Sequence, residues 1–173
     1  MGAIFLRGWM GSAILLAIGG LALLRPDIGG LLESSDASEP ASVSAVVTRV
    51  IDGDTIEASF SGRIEDVRLI GIDTPETVKP DEPVQCFGPQ ASAFTHRLLE
   101  GATVRLTFGV EERDTYGRML AYVRRGKQFV NATLVRRGFA RTLTIPPNDR
   151  FAPQLRLLEL SAARAGRGLW GSC

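Results

Sequence analysis

Three side chains of the kinds that handle a phosphodiester lie within nine residues, Arg68-Leu-Ile-Gly-Ile-Asp-Thr-Pro-Glu76. Arg68 offers a planar cationic fork that matches two phosphate oxygens at once. Asp73 is a hard oxygen ligand suited to Ca²⁺ or Mg²⁺. Glu76 is a carboxylate able to take a proton from water. On an ideal strand, the odd spacing of Arg68 and Asp73 puts them on opposite faces. Gly71 between them permits a bend or bulge that brings both to one pocket.

Other residues extend the set. Asp52-Gly-Asp-Thr55 is a turn between two apolar runs. Asp54 opens one strand and Asp73 ends the next, antiparallel one, so the two acids fall at the same end of that pair. An all-oxygen set favours Ca²⁺ or Mg²⁺ over zinc. The single histidine, His96, lies on an expected helix and no Cys-x-x-Cys exists, so a zinc set is missing. His96 reads as a solvated surface residue. Arg118 closes the turn Asp114-Thr-Tyr-Gly-Arg118 and is placed to be a second cation aimed at the same region. The alternative is an ordinary exposed Arg118 beside a core Tyr116. Arg124, Arg125, Lys127, Arg136 and Arg137 read as solvated faces, and the sequon Asn131-Ala-Thr133 falls inside an expected helix, where coincidence explains it.

These residues need a scaffold. Residues 43–51, 56–60 and 64–72 are β-type runs joined by short turns, a meander. Residues 77–85 are Pro-rich and acidic, a loop. A helix is expected over 89–99, with Pro89 in its first turn and an apolar stripe of Ala91, Phe94, Leu98 and Leu99. Strands follow at 104–110 and 119–123, then helices at 129–137 and 151–165. Five short strands and three helices in this order suit a five-stranded Greek-key barrel of the OB type, an α+β fold with function on an outer face and its loops.

A chain of 173 residues with 45% apolar and 23% charged residues is an ordinary single-domain composition. Setting aside Arg7, Arg25, Asp27, Glu33, Asp36 and Glu39 leaves 18 basic and 15 acidic residues, so a generally basic surface is not the argument for nucleic acid. Residues 1–24 read as a targeting segment. Arg7 precedes 17 uncharged residues, 8–24, a length that straddles a signal-peptide core and a short membrane anchor. Residues 25–44 read as a flexible linker and 45–173 as the domain. An exported chain meets an oxidising periplasmic or extracellular compartment, where its two cysteines, Cys86 and Cys173, tend to pair.

Five ordered stretches carry a resemblance. They are Val50-Ile-Asp-Gly-Asp-Thr55, Arg68-Leu-Ile-Gly-Ile-Asp-Thr-Pro-Glu-Thr77, Phe87-Gly-Pro-Gln-Ala-Ser-Ala-Phe94, Asp114-Thr-Tyr-Gly-Arg-Met-Leu-Ala-Tyr122 and Val130-Asn-Ala-Thr-Leu-Val-Arg-Arg-Gly138. Together they resemble the staphylococcal nuclease (thermonuclease) family over residues 45–170. The resemblance implies an OB barrel with three helices and Ca²⁺-dependent hydrolysis of DNA and RNA with little base preference, leaving 3′-phosphate ends. It implies Asp54 and Asp73 as Ca²⁺ carboxylates and Thr74 as a main-chain carbonyl ligand. Asp52 becomes a supporting acid, Glu76 the group that orients or deprotonates water, and Arg68 and Arg118 the phosphate clamp. The implied partners are single-stranded or locally open DNA and RNA, with the membrane added through residues 8–24 if these are retained. No obligate protein partner is implied. The chain departs from the family at 141–147, which carries no tyrosine where the family often has rings bordering the nucleotide pocket; Tyr116 remains. A second class of reading is a catalytically silent, membrane-tethered OB module. The intact acid and arginine set, which a pure binder does not need, separates the two.

Overall fold

The structure is a computed structural model that describes residues 41–77 and 83–173. The expected targeting segment and most of the expected linker lie outside the described residues. Among the described residues no helix is long and apolar enough to cross a membrane.

The strands are β1 (Ser42–Asp52), β2 (Thr55–Phe60), β3 (Arg63–Leu69), β4 (Ile72–Asp73), β5 (Thr103–Arg113), β6 (Met119–Arg125), β7 (Gln128–Phe129) and β8 (Arg141–Thr142). The helices are α1 (Gly88–Leu99), α2 (Val130–Arg136), α3 (Ala152–Arg164) and the single turn α4 (Leu169–Ser172). The main sheet runs β3-β2-β1-β5-β6-β7, and β3 also pairs with β6 in parallel, Arg68 opposite Leu120. That last pairing joins the sheet to itself, so β1, β2, β3, β5 and β6 form the expected closed five-stranded barrel. Closure removes the open sheet edges.

β1 shows how the barrel curls. Ala45 and Val47 are buried, then the inward positions slip by one to Val50 and Asp52. Register shifts lie between Val47 and Arg49 and between Val50 and Asp52. A bulge bends a strand and re-aims the side chains beyond it; here it turns an acid inward beside the core. Val47, Ile56, Val67, Leu69, Leu106 and Val123 fill the interior, all essentially inaccessible. α1 lies on β1 through Ala91, Thr95 and Leu99, spaced to share one helix face. α2 is buried from Val130 to Val135 and packs against α3.

Several boundaries and short elements differ from those expected of the sequence. β1 starts at Ser42, inside the end of the expected linker. The third strand, expected to reach Ile72, stops at Leu69, because Gly71 takes φ +80° and breaks the ladder. The chain resumes as β4, which leaves the barrel to pair with β8, Asp73 opposite Arg141. α4 has no counterpart among the expected helices; it is tied down by Leu169, buried and donating its N–H to Gly138 O at 2.9 Å.

Candidate active site

The β1–β2 turn and the segment after Gly71 meet at one end of the barrel. Asp54 is buried, and its Oδ2 accepts from the Thr74 N–H at 2.6 Å and the Thr74 hydroxyl at 2.9 Å. A Cβ on Gly53 would lie 2.7 Å from Thr74 Oγ1, so glycine is what lets the turn approach this segment. From the other side, the Thr95 hydroxyl of α1 donates to Gly53 O at 2.7 Å. The motif glycine and the helix together fix the height of Asp54.

Arg68 sits between the acids. Its Nη1 lies 2.7 Å from Asp54 Oδ1 and its Nη2 lies 2.9 Å from Asp73 Oδ1. The bend at Gly71 is what allows this, since a straight strand would turn Asp73 to the far face. Behind the bend, Asn131 is fully buried. Its side-chain amide donates to Ile70 O at 2.8 Å, and its Oδ1 accepts from Val123 N–H at 3.0 Å. Asn131 therefore locks the bend that aims Asp73. In the sequence it reads only as part of a chance sequon.

Glu76 follows β4. Its main chain is hydrogen-bonded in both directions to Gln85: the Gln85 N–H donates to Glu76 O at 2.9 Å, and the Glu76 N–H donates to Gln85 Oε1 at 3.1 Å. Its Oε1 accepts from the Thr77 N–H at 2.9 Å. Asp52 is buried, accepting at Oδ1 from the Gly53 N–H at 2.7 Å and the Thr77 hydroxyl at 2.6 Å. Arg118 comes from the turn before β6, its Nε 2.7 Å from Asp114 Oδ2. Its guanidinium lies over the Tyr116 ring, 5.4 Å from the centroid. Tyr116 is 84% exposed, so the core reading of that ring is excluded.

Asp52, Asp54, Arg68, Asp73, Thr74 and Glu76 line one open cavity of about 520 Å³, together with Tyr116 and Arg118. Its charge is unbalanced toward acid. Burial pushes the Asp73 carboxyl up, with Asp54's charge adding and Arg68 partly offsetting. Burial also pushes the Asp52 carboxyl up; the Thr77 and Gly53 hydrogen bonds oppose this, and the contact with Glu76 and the charge of Asp54 add to it. Acids held above their ordinary range by burial, with neighbouring acids adding to it, gain from a nearby cation.

Among the described residues no three Asp, Glu, His or Cys side chains group as a ready-made ion site. The donors do fit a hard divalent ion of the Ca²⁺ type, which draws on main-chain carbonyls and water as well as carboxylates. Asp54 and Asp73 are close enough for one guanidinium to bridge them. Arg68 supplies there the positive charge that the pair requires.

A second cavity, about 310 Å³, opens beside Arg68, Tyr116 and Arg118. Its walls include Leu120, Leu143 and Ile145, the last two partly exposed. Asn148 also lines it, but its amide is taken by the backbone of Glu111, donating at 2.8 Å and accepting at 3.1 Å.

Residues 66–172 match the family model described as staphylococcal nuclease homologue. The chain belongs to that family. It is 40% identical over 143 residues to a thermonuclease of Staphylococcus hyicus, spanning 83% of this chain and 85% of the relative. It is 46% identical over 127 residues to a thermonuclease of Staphylococcus intermedius, spanning 73% and 76%. An endonuclease of Bacillus subtilis, YncB, is 38% identical over 130 residues, 74% of this chain and 62% of that protein. The family's barrel and helices are the architecture described above. The expected bridge is also present: Cys86 and Cys173 are bonded, their Cα atoms 6.0 Å apart, joining residues 87 apart in sequence. A loop of that size restricts the unfolded chain by about 4–5 kcal/mol on chain-entropy grounds.

Proposed function

We infer that this chain is a nuclease, a hydrolase of phosphodiester bonds, and propose that it cuts DNA and RNA with little sequence preference in a Ca²⁺-dependent reaction. The observation that carries the reading is the convergence of Arg68, Arg118, Asp54, Asp73 and Glu76 on one cavity.

Asp54, Asp73 and the carbonyl of Thr74 would hold the Ca²⁺. The bound ion would supply positive charge against the phosphoryl oxygens as charge builds there. The Arg68 and Arg118 guanidiniums grip the phosphate as planar forks, and loss of one such contact typically costs on the order of 3 kcal/mol of transition-state stabilisation. Glu76 takes a proton from the attacking water at its carboxylate. Asp52, through Thr77, holds the segment that carries Glu76. Water adds to phosphorus, the bond to the 5′-oxygen breaks, and the products are a 3′-phosphate and a 5′-hydroxyl.

The apolar walls beside the arginines support weak base preference. Leu143 and Ile145 offer contact without hydrogen bonds, and the Asn148 amide is already occupied. A base that rests there has left its stack, so single-stranded or locally open polymer is the favoured substrate. Without rings at 141–147, stacking forfeits about 1–3 kcal/mol per base. We further propose that the chain is exported and works in the periplasm or outside the cell, released or anchored through residues 8–24; the closed Cys86–Cys173 bridge supports an oxidising compartment.

The deciding experiment incubates the full chain with single-stranded DNA and with RNA, in Ca²⁺ and in chelator, and identifies the ends formed. Cleavage of both polymers only with Ca²⁺, with 3′-phosphate ends, is expected. Tight binding of either polymer without cleavage in Ca²⁺ would establish the silent binding module instead.

A further inference from the structure

The cysteine bridge ends beside the segment that holds Glu76. Glu76 and Gln85, nine residues apart, close the neck of a loop by two hydrogen bonds, one between main chains and one from the Glu76 N–H to the Gln85 side-chain oxygen. Cys86 is the next residue, and it is bonded to Cys173 at the end of α4. α4 is itself fixed. Leu169 is buried, its N–H is bonded to Gly138 O, and the Cys173 N–H donates to Leu169 O at 3.1 Å. A continuous path therefore runs from the end of α2, through α4 and the bridge, to the Glu76 main chain.

Two further features mark this neck as held rather than relaxed. Phe87, directly after Cys86, has φ +68°, a left-handed conformation that a bulky residue adopts only under constraint. Its ring stacks on Phe139, 5.5 Å between centroids. Gly88 then packs so closely that a Cβ would lie 2.7 Å from Thr77 and 3.0 Å from the carbonyls of Pro75 and Glu76. The segment 75–77 is thus clasped between Gly88 on one side and Gln85 on the other, and the bridged Cys86 lies between those two in sequence. Cys86 and Cys173 are exposed, so a small dithiol can reach them.

We propose that Gln85 and the Cys86–Cys173 bridge are positioning residues for Glu76, so that the rate of hydrolysis depends on the redox state of the bridge. The proposal rests on Glu76 acting on the attacking water. Reduction breaks the S–S bond with two electrons and two protons from a dithiol, which leaves as its own disulfide; the products on the chain are two thiols. Nothing in the phosphate clamp is touched. The loss falls on the placement of the carboxylate, and a displacement near 1 Å at a reacting group costs on the order of 100-fold in rate.

The test measures kcat and KM of the full chain on single-stranded DNA in Ca²⁺, before and after dithiothreitol and after reoxidation. Gln85→Ala, Gln85→Glu, the double variant Cys86→Ser/Cys173→Ser, and Glu76→Gln are assayed in parallel, and near-UV circular dichroism confirms the fold at the assay temperature. Reduction, the double serine variant and Gln85→Ala are expected to lower kcat roughly 10- to 100-fold with KM changed less than about twofold, as for loss of an orienting partner. Gln85→Glu, which keeps the acceptor oxygen, recovers most of the rate, and so does reoxidation. If Glu76→Gln abolishes turnover while the reduced chain and both loop variants keep their kcat, the positioning role is overturned and the nuclease reading stands. A fall in kcat that tracks a loss of the near-UV signal makes the bridge a general staple and also overturns it. If Glu76→Gln keeps full turnover, the role of Glu76 is lost, and this proposal with it.

Discussion

Arg68 Nη1 lies 2.7 Å from Asp54 Oδ1, with only 14% and 8% of the two side chains accessible. The pair is therefore poorly screened, and removing the cation strands a buried carboxylate. Arg68→Ala is expected to destabilise the domain by about 3–5 kcal/mol, read as a lower denaturant midpoint in chelator. Ca²⁺ should restore more stability to this variant than to the parent, because a second source of positive charge then faces Asp54. Equal gains in both proteins would contradict the placement of the ion beside Asp54.

Glu76→Gln should melt within a few degrees of the parent, since the amide keeps the oxygen that accepts from Thr77. Its kcat should fall by about 10²- to 10⁴-fold, the usual range for a lost general base. Single-turnover kinetics would separate this from a change in substrate affinity.

The barrel was legible because its strands are β-branched, alternating runs bounded by turn residues. Ile56, Ala58 and Phe60 stand out against Thr55, Glu57 and Ser59. The ordered motifs carry the acids and arginines, and Gly71 marks the bend. The hidden features depend on partners far apart in the chain. β4 and β8 have two residues each, too few for any periodicity, and exist only because they meet. Asn131 looks like an ordinary helical polar residue until Ile70 and Val123 are seen against it. The left-handed Phe87 has no local signal, because glycine or asparagine is the usual occupant of that conformation.

Asn131→Ala should destabilise strongly. The Val123 N–H and the Ile70 carbonyl would both lose a buried partner, at about 1–3 kcal/mol for each group left unsatisfied. A lower midpoint with an unchanged denaturant slope is the expected signature. Activity per folded molecule should fall as well, because the bend that aims Asp73 is loosened.

Glu65 braces the turn that carries Arg118. Arg113 binds Glu65 at 2.9 and 3.0 Å and also donates to Gly117 O at 2.6 Å. The hydrogen bonds from Arg113 hold the Glu65 carboxyl below its ordinary value of 4.5. A depressed acid stabilises the fold above its unfolded value, and that contribution is lost as pH falls through the lower folded value. Glu65→Gln should therefore be less stable than the parent at neutral pH and equal to it in strong acid. Stability curves against pH that stay parallel would refute the coupling.

Removal of the ion should be visible without substrate. Ca²⁺ at about 100 times its dissociation constant is expected to add about 2.7 kcal/mol to unfolding stability. Asp73→Asn should shrink that increment, measured by thermal melts in Ca²⁺ and in chelator. An increment of the parent's size in that variant would remove Asp73 from the ion's ligands.

The parallel pairing of Arg68 with Leu120 has a consequence for biogenesis. Arg68 and Arg118 stand on partners separated by some fifty positions, and contacts of such long sequence separation are slow to form. The two halves of the proposed phosphate grip come together only when this seam forms. On the proposed reading of an exported nuclease, a chain still threading through a translocation channel would be harmless to the nucleic acid it leaves behind, and would become a cutting tool only where it finishes folding.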